Sequence, residues 1–210
     1  MNRSDDTPRA GYRRKPQQDR SVQRVETILH AAESLIGMHG MAGLKMTEIA
    51  REAHVPVGSL YQYFPDRGAI VAALFERMAE GVHTQLEGAF EGVSTIEEAS
   101  DRIDGIIDWY YSEYREHPTL RQILSSTESD PELMRLNVAD SKRVGDTIHA
   151  AIGHLLPSNT GIDMEARTFL FCHLVGNLVL MSLITEPVMA ERLLREWKLI
   201  IRASLFAESS

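Results

Sequence analysis

Between Pro56 and Pro65 the chain places Gly58, Tyr61, Gln62, Tyr63 and Phe64, a stretch of about two helical turns. So short a helix cannot bury three aromatic rings on one side. Leu60 and Phe64 suit a small core, where they would glue a bundle together, while Tyr61 and Tyr63 must project outward. Outward hydroxyls and the Gln62 amide are hydrogen-bonding groups offered to another surface. Gly58 lets a backbone approach that surface closely, and helix N-termini present free N–H groups to phosphates. This is the chemistry of binding. Catalytic chemistry is not spelled out anywhere. The eight histidines are scattered, no His-Glu-x-x-His occurs, and no pair of Glu-x-x-His motifs marks a di-iron bundle. His149 and His154 lie five apart and share no helix face. A phosphate-binding loop is absent. The sequence therefore names no catalytic residue, metal ligand or cofactor, and a helical-bundle enzyme is set aside. Cys172, the lone cysteine, sits in an apolar stretch and reads as a buried, inert thiol.

Helices must position these groups. Residues 1–19 lack periodicity and read as a disordered basic arm. Val22, Val25, Ile28, Leu29, Ala32, Leu35 and Ile36 then recur at three- and four-residue steps, with Ser21 as cap and Gly37 and Gly40 at the end. A short helix from about Met46 to Ala53 follows, broken by His54-Val55-Pro56. The next spans Val57 to Phe64, and Asp66 caps a long fourth helix bearing Ile70, Leu74, Phe75 and Met78. Two helices joined by a turn of three or four residues match a helix-turn-helix. Ser94-Thr95-Ile96-Glu97 reads as a capping box, Pro118, Pro131 and Pro187 open further helices, and Asp163 caps another. The expectation is an all-α chain of about nine helices. A three-helix domain over residues 20–66 precedes a helical domain over 67–210.

Charge and hydropathy bound the function classes. The net charge is −8, which argues against a uniformly basic nucleic-acid binder. Residues 1–77, however, hold 11 Lys/Arg against 9 Asp/Glu, leaving −10 for the remainder. Arg9, Arg13, Arg14, Lys15, Arg20 and Arg24 form a basic run that fits a solvated tail as well as a polyanion contact. The longest apolar stretch, Phe169 to Ile184, is interrupted by His173, Asn177 and Ser182. It falls short of the roughly 20 residues a membrane span needs. With no apolar leader at the start, the expected location is the cytoplasm, with no membrane partner.

The run Ile49-Ala50-Arg51-Glu52-Ala53-His54-Val55-Pro56-Val57-Gly58-Ser59-Leu60-Tyr61-Gln62-Tyr63-Phe64-Pro65-Asp66-Arg67 resembles the helix-turn-helix of the tetracycline-repressor (TetR) family. The likeness by motif covers about residues 20–77, including Gly40 upstream. It implies that Val57, Gly58, Tyr61 and Gln62 face bases in the major groove. Gln62 is suited to adenine N6 and N7, and Val57 to apolar contact such as a thymine methyl. It implies phosphate contacts for Tyr63, Arg67 and Ser59. Two positions depart from the pattern. His54 replaces the usual glycine of the turn, although His tolerates left-handed backbone better than most residues. Lys45 stands where a capping Ser or Thr is usual, and could itself reach a phosphate.

The resemblance further implies a homodimer built by the last two helices, an effector pocket, and repression of an operator relieved by ligand. The helix over 163–184 is apolar nearly all round, so a second copy would cover it. Gly176 and Ser182 would permit close helix approach, and the stripe over 190–205 supplies a second face. Val175, Val179, Leu194, Trp197 and Ile201 are the expected interface, with a core helix of a larger monomer as the other reading. Trp109, Tyr110, Tyr114, His117, His173 and Asn177 are the pocket candidates, each serving equally as a satisfied core residue. They suit a small apolar or aromatic effector. The alternative is a DNA-binding protein whose C-terminal domain recognises a protein partner or serves architecture.

Overall fold

The computed structural model describes residues 15–157 and 161–206. Among them are nine α-helices and no strand. The helices are α1 (Lys15–His39), α2 (Met46–Glu52), α3 (Val57–Tyr63), α4 (Arg67–Leu86), α5 (Ile96–Glu116), α6 (Pro118–Ser126), α7 (Pro131–Ile152), α8 (Met164–Ile184) and α9 (Pro187–Phe206). The expected disordered arm lies outside the described residues except for positions 15–19, which are helical. Helix α1 thus starts earlier than periodicity suggested, and Ser21 is interior rather than a cap. Pro16 is tolerated there because the first helical turn needs no N–H. Gly40, at φ 69° and ψ −178°, follows the helix in a positive-φ conformation that essentially only glycine adopts, whereas Gly37 lies within it.

The chain divides into two compact units between Ile70 and Val71, inside α4 rather than at its start. In the first unit α1 turns Ile28, Leu29, Ala32, Leu35 and Ile36 inward, joined by Leu44, Ile49, Ala50, Val55, Leu60 and Phe64. Val22, expected on that face, is exposed.

In the second unit the capping box falls one residue later than expected. Thr95 Oγ1 accepts from Glu98 N, while Glu98 Oε2 accepts from Thr95 N and also from the Ser94 N–H. One carboxylate thereby serves three donors with the Ser94 hydroxyl included, which Glu97 could not do from its position. These bonds hold the Glu98 carboxyl below its ordinary range. Asp130 caps α7 and Asp163 caps α8 through their side chains. Helix α8 packs against α5, α6, α7 and α9. By length and composition alone this 21-residue helix could cross a membrane, an 18-residue window of it having mean hydropathy 1.6, a test that the core helix of a folded domain also passes.

Helices α7 and α8 run antiparallel, with Gly145 packed against Phe169. A Cβ built there would lie 2.9 Å from Phe169 Cα and 3.1 Å from Phe169 N. Backbone cannot yield as a side-chain tip can. Moving one turn back along α7 and one turn on along α8 pairs Ser141 with His173, since residues four apart share a helix face. Gly145→Ala should therefore be destabilising by about 1–3 kcal/mol from overpacking, although glycine to alanine in a helix ordinarily stabilises by about 1 kcal/mol. Chemical unfolding decides: a raised midpoint would show that the two helices part at no cost.

Candidate nucleic-acid interface and cavity

Helices α2 and α3 are each only seven residues long. Within α3 only Leu60 is buried, and Phe64, its C-cap, joins it in the core. Two apolar anchors, one turn apart, use up the inward side of so short a helix. The other side is left to solvent: Val57 is 40% and Tyr61 51% exposed, and Gly58 and Gln62 are exposed too. Ser59 and Tyr63 are partly exposed. All the residues expected to meet DNA on α3 are thus accessible. The turn before α3 is held by Val55 N donating to Ala50 O at 2.9 Å, with Val55 buried. His54 adopts the left-handed backbone at φ 52°, as its place in the turn requires.

Around this helix the remaining expected contacts are also accessible. Lys45 is the N-cap of α2 and makes no side-chain cap, so its exposed ammonium is uncommitted to the helix end. Asp66 Oδ1 accepts from Ala69 N at 2.9 Å and caps α4. Arg67 is exposed and donates to the Met41 carbonyl at 3.3 Å, tying the start of α4 to the turn before α2. Gly58 is informative because no atom lies within 4 Å of where its Cβ would be. Its own fold gives no reason for glycine there.

The second unit encloses a cavity of about 110 Å³, walled by α4 through α9. Of the pocket candidates, Tyr110, Tyr114, His173 and Asn177 line it. Trp109 and His117 do not. Trp109 packs its ring against Tyr110 from one position earlier on α5. His117 is the exposed junction of α5 and α6, 3.6 Å from Glu113. A helix turns about 100° per residue, which rotates Trp109 away from the face carrying Tyr110 and Tyr114, whereas His117 leaves it because the helix ends there, at φ −118° and ψ 84°. Asn177 is exposed while lining the cavity, so it is not a buried core residue.

Sequence reasoning missed the contribution of α7, which brings Asn137, Asp140 and Ser141 to the wall together with Val144 and Ile148. The signal was present as polar residues at three- and four-residue steps on the inward stripe of an amphipathic helix. Here Tyr110 donates to Tyr114 across 3.1 Å with the rings 4.5 Å apart. Ser141 Oγ donates to the Asn137 carbonyl at 2.7 Å and lies 3.1 Å from His173 Nδ1. Asp140 Oδ1 stands 2.8 Å from His83 Nε2 on α4, and Arg143 reaches both. Burial pushes the Tyr110 hydroxyl up to about 12, Tyr114 well above its ordinary value, and the Cys172 thiol to about 12. All three stay protonated near neutrality; Cys172, expected to be buried, is partly exposed and lines the cavity.

The expected dimer residues divide differently. Val179, Leu194 and Ile201 are buried in the unit's own core. Val175 lines the cavity, and Trp197 packs edge-on against Phe171 at 5.4 Å. Gly176, expected at a helix crossing between copies, faces Leu124 and the Tyr110 hydroxyl. Ser182 is likewise buried. An apolar helix fills its own core first, and the remainder faces out. The outward stripe is Leu170, Met181 and Ile184 on α8 with Val188, Leu199 and Ile200 on α9.

Residues 28–74 match the family model "Bacterial regulatory proteins, tetR family", and residues 97–209 match "Tetracyclin repressor-like, C-terminal domain". An uncharacterised HTH-type transcriptional regulator of Haemophilus influenzae is 28% identical over 106 residues, covering 50% of this chain and 55% of that protein. The HTH-type transcriptional repressor NemR of Escherichia coli is 34% identical over 61 residues, covering 29% of this chain and 31% of the repressor. The matched part spans about half the length of the first of these curated relatives. The crystal structure of the multidrug binding protein EbrR complexed with malachite green matches with a TM-score of 0.64 at 19% identity. That match covers 85% of this chain and 98% of EbrR, and shows a shared fold.

The raised tyrosines make stability fall in alkali. Below pH 10 folded and unfolded chains hold the same phenolic protons. From about pH 10 to about 12 the unfolded chain sheds protons that the folded one retains, so the unfolding free energy declines. Chemical unfolding across that range should show a shallower decline in Tyr110→Phe than in the wild type, and an unchanged slope would count against a buried phenol.

Proposed function

Because the chain belongs to the tetracycline-repressor family, we propose that it is a homodimeric repressor released from a pseudo-palindromic operator by a small molecule. The observation that carries the reading is the outward face of α3, where Val57, Gly58, Tyr61 and Gln62 are accessible and have no duty in the core. Gln62 reads adenine through its amide. Tyr63, Ser59, Lys45 and Arg67 position the helix on phosphates, work done where the chromosome lies, in the cytoplasm. Gly58 removes a side chain between backbone and DNA.

Two-fold symmetry supplies the second recognition helix, with half-sites about 34–36 Å apart. The outward apolar stripe of α8 and α9 is the surface a second copy would cover. Release by ligand is supported by the enclosed cavity and by the ligand carried in the EbrR structure. Helix α4 bears Arg67 in its first turn and lends Phe75, Met78, Val82 and Leu86 to the cavity wall. An occupant that shifts α4 would therefore act on a helix that also carries a DNA-contacting residue. Coupling of about 1–3 kcal/mol would change operator affinity by roughly 5- to 150-fold.

Footprinting across a salt series on DNA upstream of the protein's own gene, followed by selection from a random library, tests the reading. A protected pseudo-palindrome is expected. Tyr63→Ala should weaken binding evenly on all sequences, and Gln62→Ala should lose about 1–3 kcal/mol of discrimination at one base pair. Failure of both experiments to yield any salt-dependent site would end the proposal. Gly58→Ala gives a sharper separation: the fold should gain about 0.4–1 kcal/mol while operator affinity falls. A variant both more stable and equally tight would mean that α3 does not approach DNA at that residue.

A further inference from the structure

The cavity holds one asymmetry that a purely apolar pocket would lack. Ser141 has a single hydroxyl proton, and it is given to the Asn137 carbonyl at 2.7 Å. The 3.1 Å approach of His173 Nδ1 to the same oxygen must then be an Nδ1–H donating to Ser141. A neutral imidazole protonated on Nδ1 carries a lone pair on Nε2. That nitrogen has no partner among the described residues. It is also not one of the sealed, unpartnered polar atoms, which are His149 Nδ1, Ser182 Oγ and Trp197 Nε1. It is thus an accessible acceptor on a ring that lines the cavity.

The rest of the wall restricts what can meet it. Among the described residues no Lys or Arg lines the cavity, so an anion finds no counter-charge from them. The one charged group, Asp140, is already engaged by His83 and Arg143, so a cation would have to compete for it. A dry cavity of roughly 150 Å³ takes up benzene, and this partly open space of about 110 Å³ has room for a single ring. Tyr110, Tyr114 and Phe171 supply aromatic faces for it.

We propose that the occupant is a neutral, single-ring aromatic bearing a hydrogen-bond donor, of the phenol type, and that it donates to His173 Nε2. The Ser141–Asn137 relay holds His173 in the tautomer that accepts. This deepens the reading of the cavity as an effector site and rests on it, but it is tested on the free protein, so loss of operator binding would not touch it.

The test is calorimetric titration of the full chain with phenol, anisole, toluene, benzoate and benzylamine. Phenol should bind about tenfold tighter than anisole or toluene, the ordinary worth of one hydrogen bond, with benzoate and benzylamine weaker still. In His173→Phe the gap between phenol and anisole should close while toluene affinity is retained. Ser141→Ala, a milder change, should narrow the same gap by freeing the tautomer. Equal binding of phenol, anisole and toluene would mean selection by shape alone and would overturn the proposal. So would tightest binding of either charged ligand, no binding by any of the five, or a gap that survives both substitutions.

Discussion

The contact on which the second unit depends is the backbone-to-side approach of α7 and α8 at Gly145. With no room for a Cβ at Gly145 against the Phe169 backbone, the two helices lie in close contact there. Their antiparallel register then dictates which residues meet at each successive turn. One turn away, Ser141 faces His173, and another turn brings the level of Asn137 and Asn177, both at the cavity wall. A small residue thus sets the spacing at one level so that polar residues at the next can hydrogen-bond rather than strain apart. Because buried polar groups demand partners, the same register that packs the helices also orients the imidazole.

A comparable economy governs the first unit, for the opposite reason. A seven-residue helix has only about two turns, and Leu60 with Phe64 consume its inward side. Everything else on α3 is surplus to folding. Its glycine costs helix stability without relieving any contact within the fold. The two units solve different problems. One exposes a small polar-aromatic face beyond a minimal core, and the other surrounds a small space with long helices.

The surplus of apolar surface on α8 has the same logic. Its core-facing residues are used within the protomer, yet Ile184 remains 86% and Leu170 52% exposed. An amphipathic helix would have ended in polar residues there. An apolar exterior of this kind costs solubility unless it is covered, and Val179, Leu194 and Ile201, buried in the unit's own core, are not part of it.

Much of this was legible in the order of residues. Helix number, the turn at His54-Val55-Pro56, the caps at Asp66 and Asp163, and the outward face of α3 follow from local rules: proline position, side-chain capping and the geometry of a short helix. Each needs only neighbours a few residues away. Where local signals competed, the sequence left a tie, as at Ser94 and Thr95, each with a Glu three residues on. The wall of the cavity and the outward stripe were not legible, because a helical period says which residues share a face and not what that face meets. Tyr110 and Trp109 are adjacent in sequence, and only the packing of α5 against its neighbours sends one to the cavity and the other aside. Asn137, Asp140 and Ser141 acquire meaning only when the register at Gly145 brings His173 to them. Local structure is decided by short-range sterics and hydrogen bonds that the sequence states outright; the site is decided by which helices touch, and that is settled only when the whole core is packed.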